Sequence, residues 1–406
     1  MRVLFTVSPW QTHYASMIPL GWALQAAGHE VRVLCARSQT PHVGAAGLLP
    51  VPVLDGMDVA TWLRLQYYEQ ARAGLWPYPW LPPHPETGHP LTALDDFDAA
   101  EFQERTAPRL AERAARSFDS AVEFTRAWRP DIVLHDPASP EGQLAARVAR
   151  IPAVLCLWGP VGTREPAHMS IVLPDHSASF PRYGLGEHHP DSATLAIDPC
   201  PASLEPPTSA RRLRVRYVPY NGTAPVPKWT PVPARRPRVC VTWSTALTVI
   251  SGPDSYLLPT ILRGLRDVDC EVVVTATEHD AALLGKLPPD VRVVPRLPIQ
   301  ALLPHCDAVV HHGGSGSTLT SLWAGVPQLV TTFAAEQAAT GTRTAATGAA
   351  IHLPGHHADS AAIGASVTAL LSDRSYRSAA ERLRGELAER PAPSALVTEL
   401  EELAAA

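Results

Sequence analysis

Unbroken apolar runs of four to six residues alternate along the chain with stretches whose apolar positions recur every three or four residues. Val3, Leu4, Phe5, Thr6 and Val7 form a run of the first kind. Met17, Leu20, Gly21 and Leu24 follow at helical spacing, and Gly28 is a natural helix stop. "EVRVLC" reads as the next strand. A run without polar alternation suits a strand buried on both faces, so this is a β-α-β unit opening a doubly wound parallel sheet. The pattern restarts in mid-chain: "PRVCVTWST" echoes "MRVLFTVSP", a helical pattern spans Tyr256 to Leu265, and "CEVVVTAT" is the following strand. "VRVVPRLP" and "DAVVHHGG" add two more strand-plus-loop units.

Two α/β domains are therefore predicted, at residues 1–222 and 237–385. The Pro-rich stretch 223–236 disfavours both helix and central strand and reads as a linker. Residues 60–130 are mostly helical in pattern, interrupted by the loop "LWPYPWLPPHPETGHP". The tail, 386–406, ends in the amphipathic helix "SALVTELEELAAA".

A length of 406 residues suits two cores rather than one. A net charge of -5 with no block of like charges argues against nucleic acid or an anionic membrane as partner. Cys35, Cys156, Cys200, Cys240, Cys270 and Cys306 are scattered without paired spacing, as free thiols in a reducing compartment would be. With no secretory h-region and no long apolar run, a cytoplasmic protein is expected.

The stretch "HHGGSGSTLTSLWAGVPQLV" carries the most chemistry. A strand ends in a glycine-rich loop, and a helix follows with Ser317 or Thr318 near its cap and Gly325 as its stop. The first turn of a helix offers free N–H groups and a partial positive charge. Gly313, Gly314 and Gly316 let a ligand approach the backbone, as phosphate sites require. Ser315, Ser317 and Thr318 add hydroxyls, and His312 can donate to a phosphate oxygen or, if protonated, stabilise a leaving diphosphate. No Lys follows the glycines, so this is not a Walker loop. The dinucleotide fingerprint belongs after a first strand, where this chain has "SPWQTHYAS".

"HHGGSGSTL…AGVPQLV…EQ" resembles the donor motif of the GT-B glycosyltransferases, and more narrowly of the bacterial family 1 enzymes that decorate natural products such as antibiotics and polyketides. "SPWQTHYASMIPLGWALQAAGHEVRV", "IDPCPASLEPP", "RYVPYNGTAPVPKW" and "PRVCVTWST" are similar to the same group, in order along nearly the whole chain. The resemblance implies two facing Rossmann-like domains, with a C-terminal helix crossing back to the first. The acceptor would bind mainly in the N-terminal domain and a nucleotide sugar mainly in the C-terminal one.

Residue by residue, the resemblance implies that His312 and the backbone of Gly313, Gly314, Ser315, Gly316 and Ser317 hold the pyrophosphate. Glu336 and Gln337 match the family's Asp-Gln pair that contacts sugar hydroxyls, with Glu one methylene longer. Arg296 stands where an aromatic often stacks on the base, and a guanidinium plane can stack as well. Leu297 would offer backbone groups to the pyrimidine. Thr320 replaces a Glu that holds ribose hydroxyls in relatives, which fits deoxyribose and hence dTDP. Ser244, in place of the usual Gly, and Thr245 would touch phosphate.

His13 matches the base that removes the acceptor proton, and its loop after the first strand faces the cleft in this fold. Asp136 closes the strand "DIVL" and would orient the histidine or serve as base itself; a turn-forming Asp before Pro137 is the plain alternative. Trp10, Tyr14, Trp76, Tyr78, Trp80 and Trp158 would suit a flat apolar acceptor. No metal and no cofactor are implied. The expected activity is inverting transfer of a deoxyhexose from a nucleoside diphosphate, dTDP foremost, to a hydrophobic natural product. Two other readings stay open: a C-glycosyltransferase on an aromatic polyketide with Asp136 as base, and a non-catalytic binding partner that keeps the fold. A helper protein and a homodimer are open too.

Overall fold

The computed structural model describes residues 1–229 and 235–406. Residues 230–234, within the predicted linker, and the Thr245 side chain lie outside the described residues.

Seven parallel strands build the first domain: β1 (Arg2–Thr6), β2 (Glu30–Ala36), β3 (Leu49–Leu54), β4 (Ile132–His135), β5 (Ala153–Cys156), β6 (Leu195–Asp198) and β7 (Arg211–Arg214), in the spatial order β3-β2-β1-β4-β5-β6-β7. Six build the second: β8 (Arg238–Thr242), β9 (Glu271–Thr275), β10 (Val291–Val293), β11 (Ala308–His311), β12 (Gln328–Thr332) and β13 (Ala350–Pro354), in the order β10-β9-β8-β11-β12-β13. Central strands are buried on both faces; Val3, Leu4 and Phe5 of β1 and Val239, Cys240 and Val241 of β8 are closed to solvent. Helices cover each sheet because parallel strands must be joined by crossovers.

In both sheets the strand order reverses beside the first strand, between β1 and β4 and between β8 and β11. Ligands of open α/β sheets bind outside the carboxyl ends of strands at such points. The loops after β1 and β4 carry His13 and Asp136, and those after β8 and β11 carry Ser244 and His312. Topology alone thus gathers the candidate residues at two switch points.

The chain end ties the domains together. In the helix Arg374–Glu389, Ala380, Leu383 and Leu387 pack with Cys200, Leu204 and Tyr217 of the N-terminal half. Pro391 separates it from the last helix, Pro393–Ala405, whose Leu396, Val397 and Leu400 join the first core beside Leu20 and Leu24. This is the crossing back that the resemblance implies. All six cysteines are free and buried. Among the described residues, no helix is long and apolar enough to cross a membrane.

Candidate functional site

His13 sits in the short helical turn Gln11–Tyr14 after β1. Its ring stacks on Trp158 with centroids 4.2 Å apart, and Trp10 lies 5.5 Å away on a tilt. Nδ1 is 3.1 Å from the Ser8 hydroxyl oxygen. Burial pushes the imidazole pKa down to about 4, so the ring is uncharged at neutral pH.

Asp136 is 0% exposed. Its Oδ2 accepts from the Ser8 amide at 2.7 Å and its Oδ1 from the Ala138 amide at 2.8 Å. Burial pushes its pKa up to about 7 against the pull of those bonds. Both oxygens are turned onto backbone amides beneath the surface, an arrangement closer to the orienting or turn-forming reading than to that of a base. Asp136 and His13 are linked through Ser8, which the sequence reading missed. The available signal was a hydroxyl at a strand end, five residues before the histidine.

The two neighbouring histidines divide their roles. His311 is fully buried at the end of β11; its Nε2 stands 2.7 Å from Gln328 Oε1, and the Gly313 amide donates to its Nδ1 at 3.0 Å. Nε2 thus carries the proton, and burial keeps the ring neutral with a pKa of about 4. His311 shapes the loop from behind. Gly313 has φ +87°, and a Cβ there would meet Thr332 Cγ2 at 3.0 Å, so only glycine fits without strain.

The helix Ser315–Ala324 is capped by Gly314, not by Ser317 or Thr318. Thr318 Oγ1 donates back to the Gly314 carbonyl at 3.2 Å instead. No side chain caps the helix, so its first-turn amides stay open to an anion. Gly325, at φ +69°, stops it as expected. His312 lies edge-on to Trp243 with ring centroids 5.8 Å apart, and its buried Nδ1 has no partner. Burial first, and His311 second, push its pKa down to about 3. Of the two forms open to it, the ring is therefore in the neutral one, which can donate one hydrogen bond.

Glu336 and Gln337 open the helix Ala335–Ala346. Ser315 Oγ donates to Glu336 Oε1 at 3.2 Å, and the Trp158 side chain lies beside the same carboxylate and favours its charged form. Burial pushes the Glu336 pKa up to about 7. Gln337 turns inward, its Oε1 accepting from the Phe333 amide at 3.2 Å. Trp158 therefore stands between the two domains, with its ring against His13 and its side chain beside Glu336. The next residue is as close: a Cβ on Gly159 would fall 2.3 Å from Ser315 Oγ. A bidentate pair seals this junction, with Arg343 donating to Glu165 at 2.6 and 2.9 Å. No local pattern pointed to that pair.

Arg296, which the resemblance sets beside the base, is exposed and holds a left-handed backbone at φ +56°. Such a conformation is uncommon for a non-glycine residue and concentrates at functional positions. Leu297 is buried and its carbonyl accepts from Thr275 Oγ1 at 2.9 Å, so part of its backbone is already used. Thr320 is fully buried; its hydroxyl donates to the Gly316 carbonyl at 2.7 Å and lies 2.9 Å from the Tyr217 hydroxyl, with Asn221 Nδ2 at 3.2 Å. Ser244 Oγ caps the helix Thr245–Ser251 by accepting from the Ala246 amide at 3.2 Å.

Of the six aromatic candidates, Trp10 and Trp158 stand at His13. Tyr14 does not: it is 1% exposed within the first core, and its hydroxyl donates to Gln39 Oε1 at 2.9 Å. Trp76, Tyr78 and Trp80 form a ladder that docks the Pro-rich loop on the second domain. Trp76 Nε1 donates to the Trp80 carbonyl at 2.7 Å, Tyr78 stacks on Trp80 at 5.2 Å, and the Tyr78 hydroxyl donates to the Thr332 carbonyl at 3.3 Å. Among the described residues, no group of three or more His, Cys, Asp or Glu is placed to hold a metal ion.

Comparison with known proteins agrees with this fold. The model of the "Erythromycin biosynthesis protein CIII-like" N-terminal domain matches residues 22–75 and 93–244, and that of the C-terminal domain matches 259–403. The chain belongs to this EryCIII-like family. Among curated relatives, 10-deoxymethynolide desosaminyltransferase of Streptomyces venezuelae is 34% identical, with 100% of this chain and 97% of the relative aligned. Tylactone mycaminosyltransferase of Streptomyces fradiae is 33% identical over 100% of this chain and 93% of its own. Among solved structures, spinosyn rhamnosyltransferase complexed with thymidine diphosphate superposes with a TM-score of 0.77 at 27% identity, covering 99% of this chain and 100% of that one. This EryCIII-like chain is a GT-B enzyme of the glycosyltransferase kind, in the group that serves antibiotic biosynthesis.

Proposed function

We propose that the protein transfers a deoxyhexose from dTDP to a hydrophobic polyketide-type acceptor in one inverting displacement, with His13 as base. The observation that carries this reading is the junction at Trp158, where an uncharged His13 on one domain meets Ser315 and Glu336 on the other. With Nδ1–H donating to Ser8 Oγ, His13 keeps the Nε2 lone pair free. The acceptor oxygen attacks C1 of the sugar, its proton passes to Nε2, and the bond from C1 to the phosphate oxygen breaks. The departing diphosphate is met by the amides of Gly313 to Ser317, the helix end and His312. No metal ion and no cofactor enter this reading.

For the nucleotide, the buried Thr320 network offers no carboxylate to a ribose 2′-hydroxyl, which suits deoxyribose. The spinosyn relative solved with thymidine diphosphate supports the same choice. The relatives named for 10-deoxymethynolide and tylactone support a macrolide-like acceptor. Six buried free thiols suit a cytoplasmic setting. The reading with Asp136 as base of a C-glycosylation is disfavoured by its complete burial.

Calorimetric titration of wild type and His312→Ala with dTDP and UDP tests the proposal. The expected result is dTDP binding in preference to UDP, weakened at least tenfold in the variant, a loss of about 1.4 kcal/mol. Equal or absent binding in both proteins would overturn the diphosphate assignment.

A further inference from the structure

A base that takes up a proton at Nε2 must already carry one on Nδ1. A neutral imidazole has a single proton to place, and the partner at Nδ1 decides where it sits. For His13 that partner is Ser8, whose hydroxyl oxygen stands 3.1 Å from Nδ1. A hydroxyl can give or take a hydrogen bond there. If it gives, the proton of His13 sits on Nε2 and the ring is no base toward an acceptor. Ser8 lies two residues past β1 and is buried, so bulk water does not settle the choice. Trp158, stacked on the ring, fixes the plane of the imidazole but not its proton.

The other neighbour of Ser8 is Asp136. The Ser8 amide donates to Asp136 Oδ2 at 2.7 Å, and the Ser8 side chain lies beside the same carboxylate and favours its charged form. Among the described residues, no hydrogen bond joins Asp136 to His13 directly. A hydroxyl shared by a carboxylate and an imidazole gives its proton to the carboxylate, because a hydrogen bond to an ionised acceptor is roughly twice as strong as a neutral one. Ser8 Oγ is then left to accept from Nδ1–H.

We propose that Ser8 is a positioning residue for the base: its hydroxyl, turned by Asp136, fixes His13 with the proton on Nδ1 and the lone pair on Nε2. This rests on the reading of His13 as base and supplies the tautomer that reading requires. When Nε2 takes the acceptor proton, the Nδ1 proton stays where it is. The new imidazolium charge is met by the Ser8 oxygen and, one hydroxyl further, by the Asp136 carboxylate. Asp136 thus serves a ring it does not touch, without exchanging a proton.

Nitrogen-15 NMR of the whole chain, labelled at its 17 histidines, tests this at neutral pH. A ring nitrogen that carries a proton resonates far from one that does not, and the His13 signals are those missing from His13→Gln. Wild type is expected to show Nδ1 protonated and Nε2 bare. Ser8→Ala keeps the backbone amide on Asp136 and removes only the hydroxyl; it should move the proton to Nε2 in most molecules. Ser8→Thr, which keeps the hydroxyl, should return the wild-type pattern. Calorimetric dTDP affinity should stay within about twofold in every variant, because the changes lie in the other domain. If Ser8→Ala does not fold, Ser8→Cys, with its weak thiol donor and acceptor, is held to the same criterion. A proton that stays on Nδ1 in Ser8→Ala, or a Ser8→Thr pattern that matches Ser8→Ala, overturns the role of the hydroxyl and leaves His13 standing as base. A wild-type ring protonated on Nε2 overturns the base reading itself, and the inference with it.

Discussion

Replacing Arg343 with Ala should disable the junction while leaving every candidate residue in place. The Glu165 side chain is 2% exposed and that of Arg343 33%. Without the guanidinium, Glu165 keeps, among the described residues, only the Gly162 amide, at 3.1 Å, as a charge-stabilising partner. Breaking a fully buried pair from one side costs about 3–5 kcal/mol. Arg343 is partly wetted, and a hydrogen bond to a charged group is worth about 1.5–3 kcal/mol, so about 2 kcal/mol is the working figure. That corresponds to roughly a thirtyfold loss of the closed arrangement. Steady-state kcat/KM for the nucleotide sugar should fall by about that factor, and an interdomain distance measured by spin labels should lengthen. Removing Glu165 as well should recover part of the loss, because the stranded carboxylate is the larger penalty. A single Arg343→Ala variant with kcat/KM within twofold of wild type and an unchanged distance would refute this reasoning.

Two further perturbations have signs set by the structure. His311 has a folded pKa of about 4 against the ordinary 6.5, so the unfolded chain binds the extra proton in between. Its stabilising contribution is complete above pH 6.5 and disappears as the pH falls toward 4, by about 3 kcal/mol; Gly313 would lose its acceptor on Nδ1 at the same time. Denaturant melts from pH 7 to 4 should show this loss, and His311→Asn should show a shallower one. Arg296→Gly relieves the left-handed backbone and should stabilise the fold by up to about 1 kcal/mol. The same change should weaken dTDP binding roughly threefold to fivefold, the size of an exposed cation–π contact; thermal melts and calorimetry on the same protein separate the two effects.

Much of the scaffold was legible because parallel strands leave unbroken apolar runs. β1, β2, β8, β9 and β11 all announce themselves that way. β3 hides behind Pro50 and Pro52, and β7 reads "RRLR", an edge strand with one buried apolar residue. The helix after His312 begins earlier than the serines suggested, since a glycine cap has no side-chain signature. His13, Ser315 and Glu336 were visible as residues, and the fold brings them to one junction. What joins them was not visible. Ser8 bridges two strand ends, Trp158 spans two domains, and Arg343 reaches Glu165 across 178 positions of sequence. Such contacts arise only when two independently folded surfaces dock. The acceptor-lining role expected of Tyr14 failed for a related reason: helical spacing cannot tell which side of a short turn faces the core.

Kinetics and nucleotide binding of His13→Ala, on donor and acceptor that support turnover, test the central claim most directly. The account predicts a kcat lower by about a hundredfold to ten-thousandfold, the usual contribution of a general base, with dTDP affinity within twofold of wild type. A kcat close to wild type would contradict it, and the proton would then have to leave by another group.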